Sequence, residues 1–169
     1  MSREKLGDPV ANRVGPRARR VDVTQVFDCE RPVLFTVWTD PEHFARWWGP
    51  KEWQAYDCML DVRPGGRWRS SFRRPVGQDI HIGGQYLDVT PPERISFSWN
   101  SYGTLSADDA SLVELEFVEI GHQTELRITH TKLTTGEAED MDIGWVSALE
   151  SLARYLREQP THIRQEDPA

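Results

Sequence analysis

The chain has 169 residues, enough for one domain with a real core and short for two, and a formal charge of −7 from 20 basic and 27 acidic residues. Six of the basic residues (Arg3, Lys5, Arg13, Arg17, Arg19, Arg20) fall among the first twenty, so the remainder is more acidic still; such a surface repels phosphates, and with no zinc-finger, helix-turn-helix or RNA-binding signature it excludes nucleic acid as a partner. Cys29 and Cys58 without an apolar signal segment, and no apolar run near the roughly 20 residues that cross a bilayer, predict a cytoplasmic chain with reduced thiols and no membrane partner.

Residues 1–20 mix Gly7, Pro9, Gly15 and Pro16 with scattered charge and read as a flexible leader. From Val21 the pattern changes: Val21, Val23, Gln25 and Phe27 alternate with Asp22, Thr24 and Val26, a strand with one mostly apolar face. Glu30-Arg31-Pro32 opens a helix carrying Val33, Phe35, Val37 and Trp38, and Asp40-Pro41 ends it and starts a second. Asp40 is the cap of that second helix, Phe44, Trp47 and Trp48 fall at i, i+3 and i+4, and Gly49-Pro50 stops it. So short a helix is stable only when docked, which gives Phe44 and Trp47 an anchoring role and leaves Trp48 as the ring for ligand contact.

Residues 53–62 read as a strand, and Arg63-Pro64-Gly65-Gly66 as a turn. Next come Trp68, Ser70 and Phe72 on one face, with Arg67, Arg69 and Arg73 facing solvent on the other. After Pro75-Val76-Gly77-Gln78 a strand runs from Ile80 to Val89, with a bulge or bend expected at Gly83-Gly84. Its alternation leaves open which of His81 and Tyr86 faces inward. Pro91-Pro92-Glu93 ends it; Ile95, Phe97 and Trp99 mark the next strand, residues 100–110 a loop. Val113, Leu115 and Phe117, then Leu126, Ile128 and His130, mark two further meander strands.

Thr134 to Glu137 fits a capping box, followed by Trp145, Leu149, Leu152 and Leu156 at helical spacing, with Val146 and Ala153 widening the stripe, until Pro160. About 22 residues make a helix of roughly 33 Å, and residues 160–169 read as a tail. The fold class is therefore α+β, with about seven antiparallel strands curled on a long C-terminal helix and two short helices after strand one. A cavity is expected between sheet and helix.

Several local patterns coincide with one family: Thr39-Asp40-Pro41-Glu42 with Trp47-Trp48-Gly49-Pro50, Asp61-Val62-Arg63-Pro64-Gly65-Gly66-Arg67-Trp68-Arg69, Gly84-Gln85-Tyr86 with Pro91-Pro92-Glu93-Arg94-Ile95, and Gly144-Trp145 with Leu149 and Leu152. Residues 21–159 resemble an AHSA1-type member of the START/Bet v 1-like (SRPBCC) superfamily, which implies a helix-grip domain with a deep cavity. The family's namesake, an activator of the Hsp90 ATPase, carries a further N-terminal domain, whereas a short leader precedes this one; that departure makes Hsp90 a doubtful partner. The superfold hosts many functions, so function rests on the site.

Four tryptophans, Trp48, Trp68, Trp99 and Trp145, are expected to face the interior. With Phe72 they would wall a site for a hydrophobic or aromatic small molecule, and His81, Tyr86 and His130 would supply its polar contacts. The alternatives are a cyclase- or dehydratase-like enzyme, using a cavity His or Tyr with Asp61 or a water, and a chaperone-related protein-binding module, with a homodimer as one outcome. No HExxH, CxxC, GxSxG, GxGxxG or Walker spacing is present, so neither a metal nor a cofactor is expected. Arg67, Arg69, Arg73 and Arg74 read as a solvated strand face.

Overall fold

The computed structural model describes residues 15–101 and 110–158. Seven strands form one antiparallel sheet in the order β1-β7-β6-β5-β4-β3-β2. They are β1 (Arg19–Phe27), β2 (Gln54–Leu60), β3 (Arg67–Arg73), β4 (Ile80–Thr90), β5 (Arg94–Ser101), β6 (Ser111–Ile120) and β7 (Gln123–Leu133). Helices α1 (Arg31–Thr39) and α2 (Pro41–Trp47) follow β1, and α3 (Thr135–Glu158) follows β7. This is the expected α+β helix-grip arrangement. Most of the leader, the centre of the loop between β5 and β6, and the C-terminal tail lie outside the described residues.

The end signals act as the sequence reads. Pro41 occupies the start of α2, and the Asp40 carboxylate accepts from the Glu42 N–H at 2.9 Å. At α3, the Thr134 hydroxyl accepts from the Glu137 N–H at 3.2 Å while the Glu137 carboxylate accepts from the Thr134 N–H at 3.0 Å, a closed capping box. Arg17 joins it with an ion pair to Glu137 at 2.8 Å. Part of the presumed leader is thus fixed: Arg17 pins the head of α3, and Arg19 and Arg20 already belong to β1, where Arg20 pairs with Asp22 at 2.7 Å.

Two further expectations need correction. The sheet register slips between Tyr86 and Asp88, not at Gly83-Gly84. Gly84 serves close approach instead, since a Cβ there would lie 1.9 Å from the Ser98 carbonyl oxygen of the neighbouring strand. On α3, Trp145, Ala148, Leu149, Leu152 and Tyr155 are buried, whereas Val146 is 47% exposed. The buried stripe runs through Ala148 and Tyr155 because α3 meets β1 and β7 on one side and α2 on the other.

The apolar face of the sheet is not covered by α3 alone. Helix α1 packs on β6 and β7 and α2 packs on β2, so Trp38, Phe44 and Trp48 enter the space between the sheet and the long helix. Trp38 and Trp48 reach Trp145 of α3 at ring-centroid distances of 6.2 and 5.7 Å. Side chains of the short helices occupy the volume where the cavity was expected. No helix among the described residues is long and apolar enough to cross a membrane.

Candidate functional site

Just past the end of α2 lies Gly49, whose φ of 107° turns the chain and brings its Cα against the Phe72 ring, leaving no room for a Cβ. That turn sets Trp48 in the centre of an aromatic cluster. Its ring stacks on Phe44 at 4.7 Å and meets Trp99 at 5.8 Å and Phe72 at 6.1 Å. The Trp48 indole N–H donates to Ser70 Oγ at 2.9 Å, and Trp68 donates to the Ser98 carbonyl at 3.0 Å. Phe44, Trp47 and Trp48 are all buried, so the anchoring role falls to the whole triplet, Trp48 included.

Of the residues expected to form the site, Trp48, Trp68, Trp99, Trp145, Phe72 and His130 share the inner side of the sheet, most of them in ring contact with one another. Tyr86 joins them through Phe97, 6.1 Å away. His81 does not. It lies on the opposite face of β4, exposed, beside the Ser71 hydroxyl at 2.7 Å, because Ile82, Gly84 and Tyr86 take the inward parity.

His130 is wholly buried and engaged at both ring nitrogens. The Trp145 indole N–H donates to its Nδ1 at 3.1 Å, so Nε2 carries the proton and donates to Ser111 Oγ at 2.8 Å. Ser111 in turn donates to the Trp99 carbonyl at 3.2 Å. Burial pushes the imidazole down to about 3 and holds it neutral. Sequence reading missed Ser111, whose position at the strand start carries no motif.

Among the described residues, one interior cavity of about 10 Å³ is bordered by Trp38, Trp48, Leu60, Trp68, Tyr86 and Phe97 among others. That is room for one water-sized group. Aromatics of α1 and of the segment after α2 reach into the space where the resemblance implies a deep cavity. Burial, with Asp61 adding to it, pushes the Tyr86 phenol well above its ordinary range and keeps it protonated.

Outside this cavity the described residues form an open groove of about 1110 Å³. Met59 and Leu60 of β2, Trp68 of β3, Gln85 of β4, and Ser98 and Asn100 of β5 line it, and Leu60 and Trp68 also border the inner cavity. Arg63, Arg67 and Arg69 stand along it. Arg63 pairs with Asp61 at 3.0 Å and Arg69 with Asp57 at 3.2 Å, as solvated side chains of the strand and turn.

A seven-stranded antiparallel sheet gripping a C-terminal helix, with two short helices driven into its mouth, defines a helix-grip α+β protein. The chain belongs to the family of activator of Hsp90 ATPase homolog 1-like proteins, which it matches over residues 28–157. The structure is similar to that of the AHSA1 protein from Silicibacter pomeroyi, with 26% identity, a TM-score of 0.73, and coverage of 83% of this chain and 99% of that one. CalU16 from Micromonospora echinospora is also 26% identical, with a TM-score of 0.63 over 88% of this chain and 82% of its own. Protein CV1439 from Chromobacterium violaceum, at 22% identity, shares the fold with a TM-score of 0.72 over 80% of this chain and 96% of that one. No curated protein sequence matches the chain.

Proposed function

We propose that the protein binds a hydrophobic or aromatic small molecule, seated in the groove beside Met59, Leu60 and Trp68 and not in a deep chamber under α3. One observation carries this reading: the groove shares Leu60 and Trp68 with the inner aromatic cavity, so an apolar ligand in it meets the edge of the core. Small-molecule clefts run to about 300–1,000 Å³ with apolar walls and a few polar groups, and this groove is of that order. Gln85, Ser98 and Asn100 supply the polar fixtures.

A thermal-shift screen of aromatic and lipid-like compounds, followed by tryptophan quenching, tests the reading. A binder raises Tm and quenches emission, and both effects weaken in Leu60→Arg, which puts a charge at the junction of groove and cavity. If no compound shifts Tm and the protein purified from its expression host carries no small molecule by native mass spectrometry, the reading fails.

A further inference from the structure

Seven arginines lie between the start of β2 and the end of β7. Arg63, Arg69, Arg94 and Arg127 each hold a carboxylate at 2.7–3.8 Å, Arg74 donates to the Gln78 carbonyl at 2.8 Å, and Arg73 lies 4.7 Å from the centre of the Tyr56 ring. Arg67 is the exception. It is exposed, and its guanidinium has no partner among the described residues. In a chain with a formal charge of −7 carboxylates outnumber cations, yet this cation is unclaimed, and it stands on the groove.

The sheet register fixes its surroundings. Directly paired residues of an antiparallel ladder share a face, with Cβ atoms about 5 Å apart. Arg67 pairs with Gln85; Arg69, two residues on and so on the same face, pairs with Met59. The Gln85 side chain is also exposed and without a partner among the described residues. Met59, 53% exposed, is the diagonal neighbour of Arg67, roughly 7–8 Å away. A planar cation, an amide donor and an apolar surface therefore share one sheet face at one groove.

We propose that this face binds an aromatic or conjugated carboxylic acid, its carboxylate on the Arg67 guanidinium and the Gln85 amide, its rings on Met59. This rests on the groove being a ligand site and names the class of ligand. The parallel N–H donors of a guanidinium match the two oxygens of a carboxylate. A monoanion suits the face better than a phosphate dianion. Arg67 brings one uncommitted charge, and Asp61 and Asp57, held by the flanking arginines, repel a second negative charge.

The test compares 2-naphthoate with 2-naphthamide, which match in size and differ in charge, by titration calorimetry and tryptophan quenching near neutral pH. Wild type is expected to bind the acid about fivefold more tightly in low salt, the upper range for one exposed ion pair, with the preference shrinking as salt is added. Arg67→Gln is expected to abolish the preference, and Arg67→Lys to keep part of it, since the charge remains and the fork is lost. Arg127→Gln makes the same change in net charge on β7 and is expected to leave the ratio of affinities unchanged. Equal binding of both compounds to wild type, a preference that survives Arg67→Gln, or one that Arg127→Gln lowers as far, overturns the carboxylate seat while leaving the groove as a ligand site. Failure of both compounds to bind wild type rejects the seat, and the wider compound screen then decides the groove separately.

Discussion

The Trp145 indole N–H donates to His130 Nδ1 across 3.1 Å, and this bond decides where the imidazole keeps its proton. With Nδ1 accepting, Nε2 must donate, and the chain continues through Ser111 to the Trp99 backbone. His130 thus ties α3 to β7, β6 and β5. Protonation of Nδ1 would set two donors against each other in a wholly buried site.

That conflict gives the first prediction. A histidine held neutral in the fold, with an unfolded value near 6.5 and a folded value of about 3, contributes stability that is fully present above the unfolded value. The contribution is lost as pH falls from about 6.5 toward 3, and its size is on the order of a few kcal/mol. Urea unfolding between pH 7 and pH 4 should show His130→Leu well below wild type at neutral pH, with the gap closing as the solution is acidified. A gap that stays constant over that range would contradict the neutral, doubly bonded imidazole.

The second concerns glycines placed for space. Gly84→Ala sets a Cβ 1.9 Å from a backbone carbonyl that cannot turn aside, and should cost about 3 kcal/mol or more by forcing β4 from β5. Gly49→Ala meets the Phe72 ring at 2.6 Å and a φ of 107°, at about 1–3 kcal/mol. Chemical denaturation should rank them in that order.

At the head of α3, Glu137→Ala removes both the reciprocal cap and the partner of Arg17. A loss of about 1–3 kcal/mol is expected, with Arg17→Ala costing less because the cap survives. A double-mutant cycle that finds no coupling between the two would remove the ion pair's role.

The α3 stripe supplies the fourth. Val146→Ser should change stability by no more than about 0.5 kcal/mol, whereas Leu149→Ala, at a fully buried position one turn on, should cost about 2–5 kcal/mol. Thermal melts of the two variants settle which residues α3 buries.

Much of the fold was legible because its signals are local. The alternation of Val113, Leu115 and Phe117 against acidic neighbours, the Asp40-Pro41 start and the Thr134–Glu137 box each act within a few residues, and the structure keeps them. Parity in β4 was not legible: either alternate set held a mixture of polar and apolar side chains, and the register slip after Tyr86 depends on β5. Nor was the fate of the cavity. A count of aromatics does not say whether rings line a space or fill it; here Trp38, Phe44 and Trp48 enter from two short helices whose docking only the tertiary structure fixes. Trp38 looked like one more apolar position in α1, and nothing in its neighbourhood along the chain marks its buried N–H as lacking an acceptor among the described residues.

The sheet order has a consequence in time. Five of its six ladders join strands that follow one another, but β1 pairs with β7, so Val21 waits for His130, roughly a hundred positions further along the chain. The meander from β2 to β7 can zip through short loops, while β1 has to close the longest one. Helix α3 rests chiefly on β1 and cannot settle before it. The grip on the helix is therefore expected to be the last part of the molecule to assemble and the first to open, and pulsed hydrogen exchange should find β1 and α3 acquiring protection together, after the hairpins.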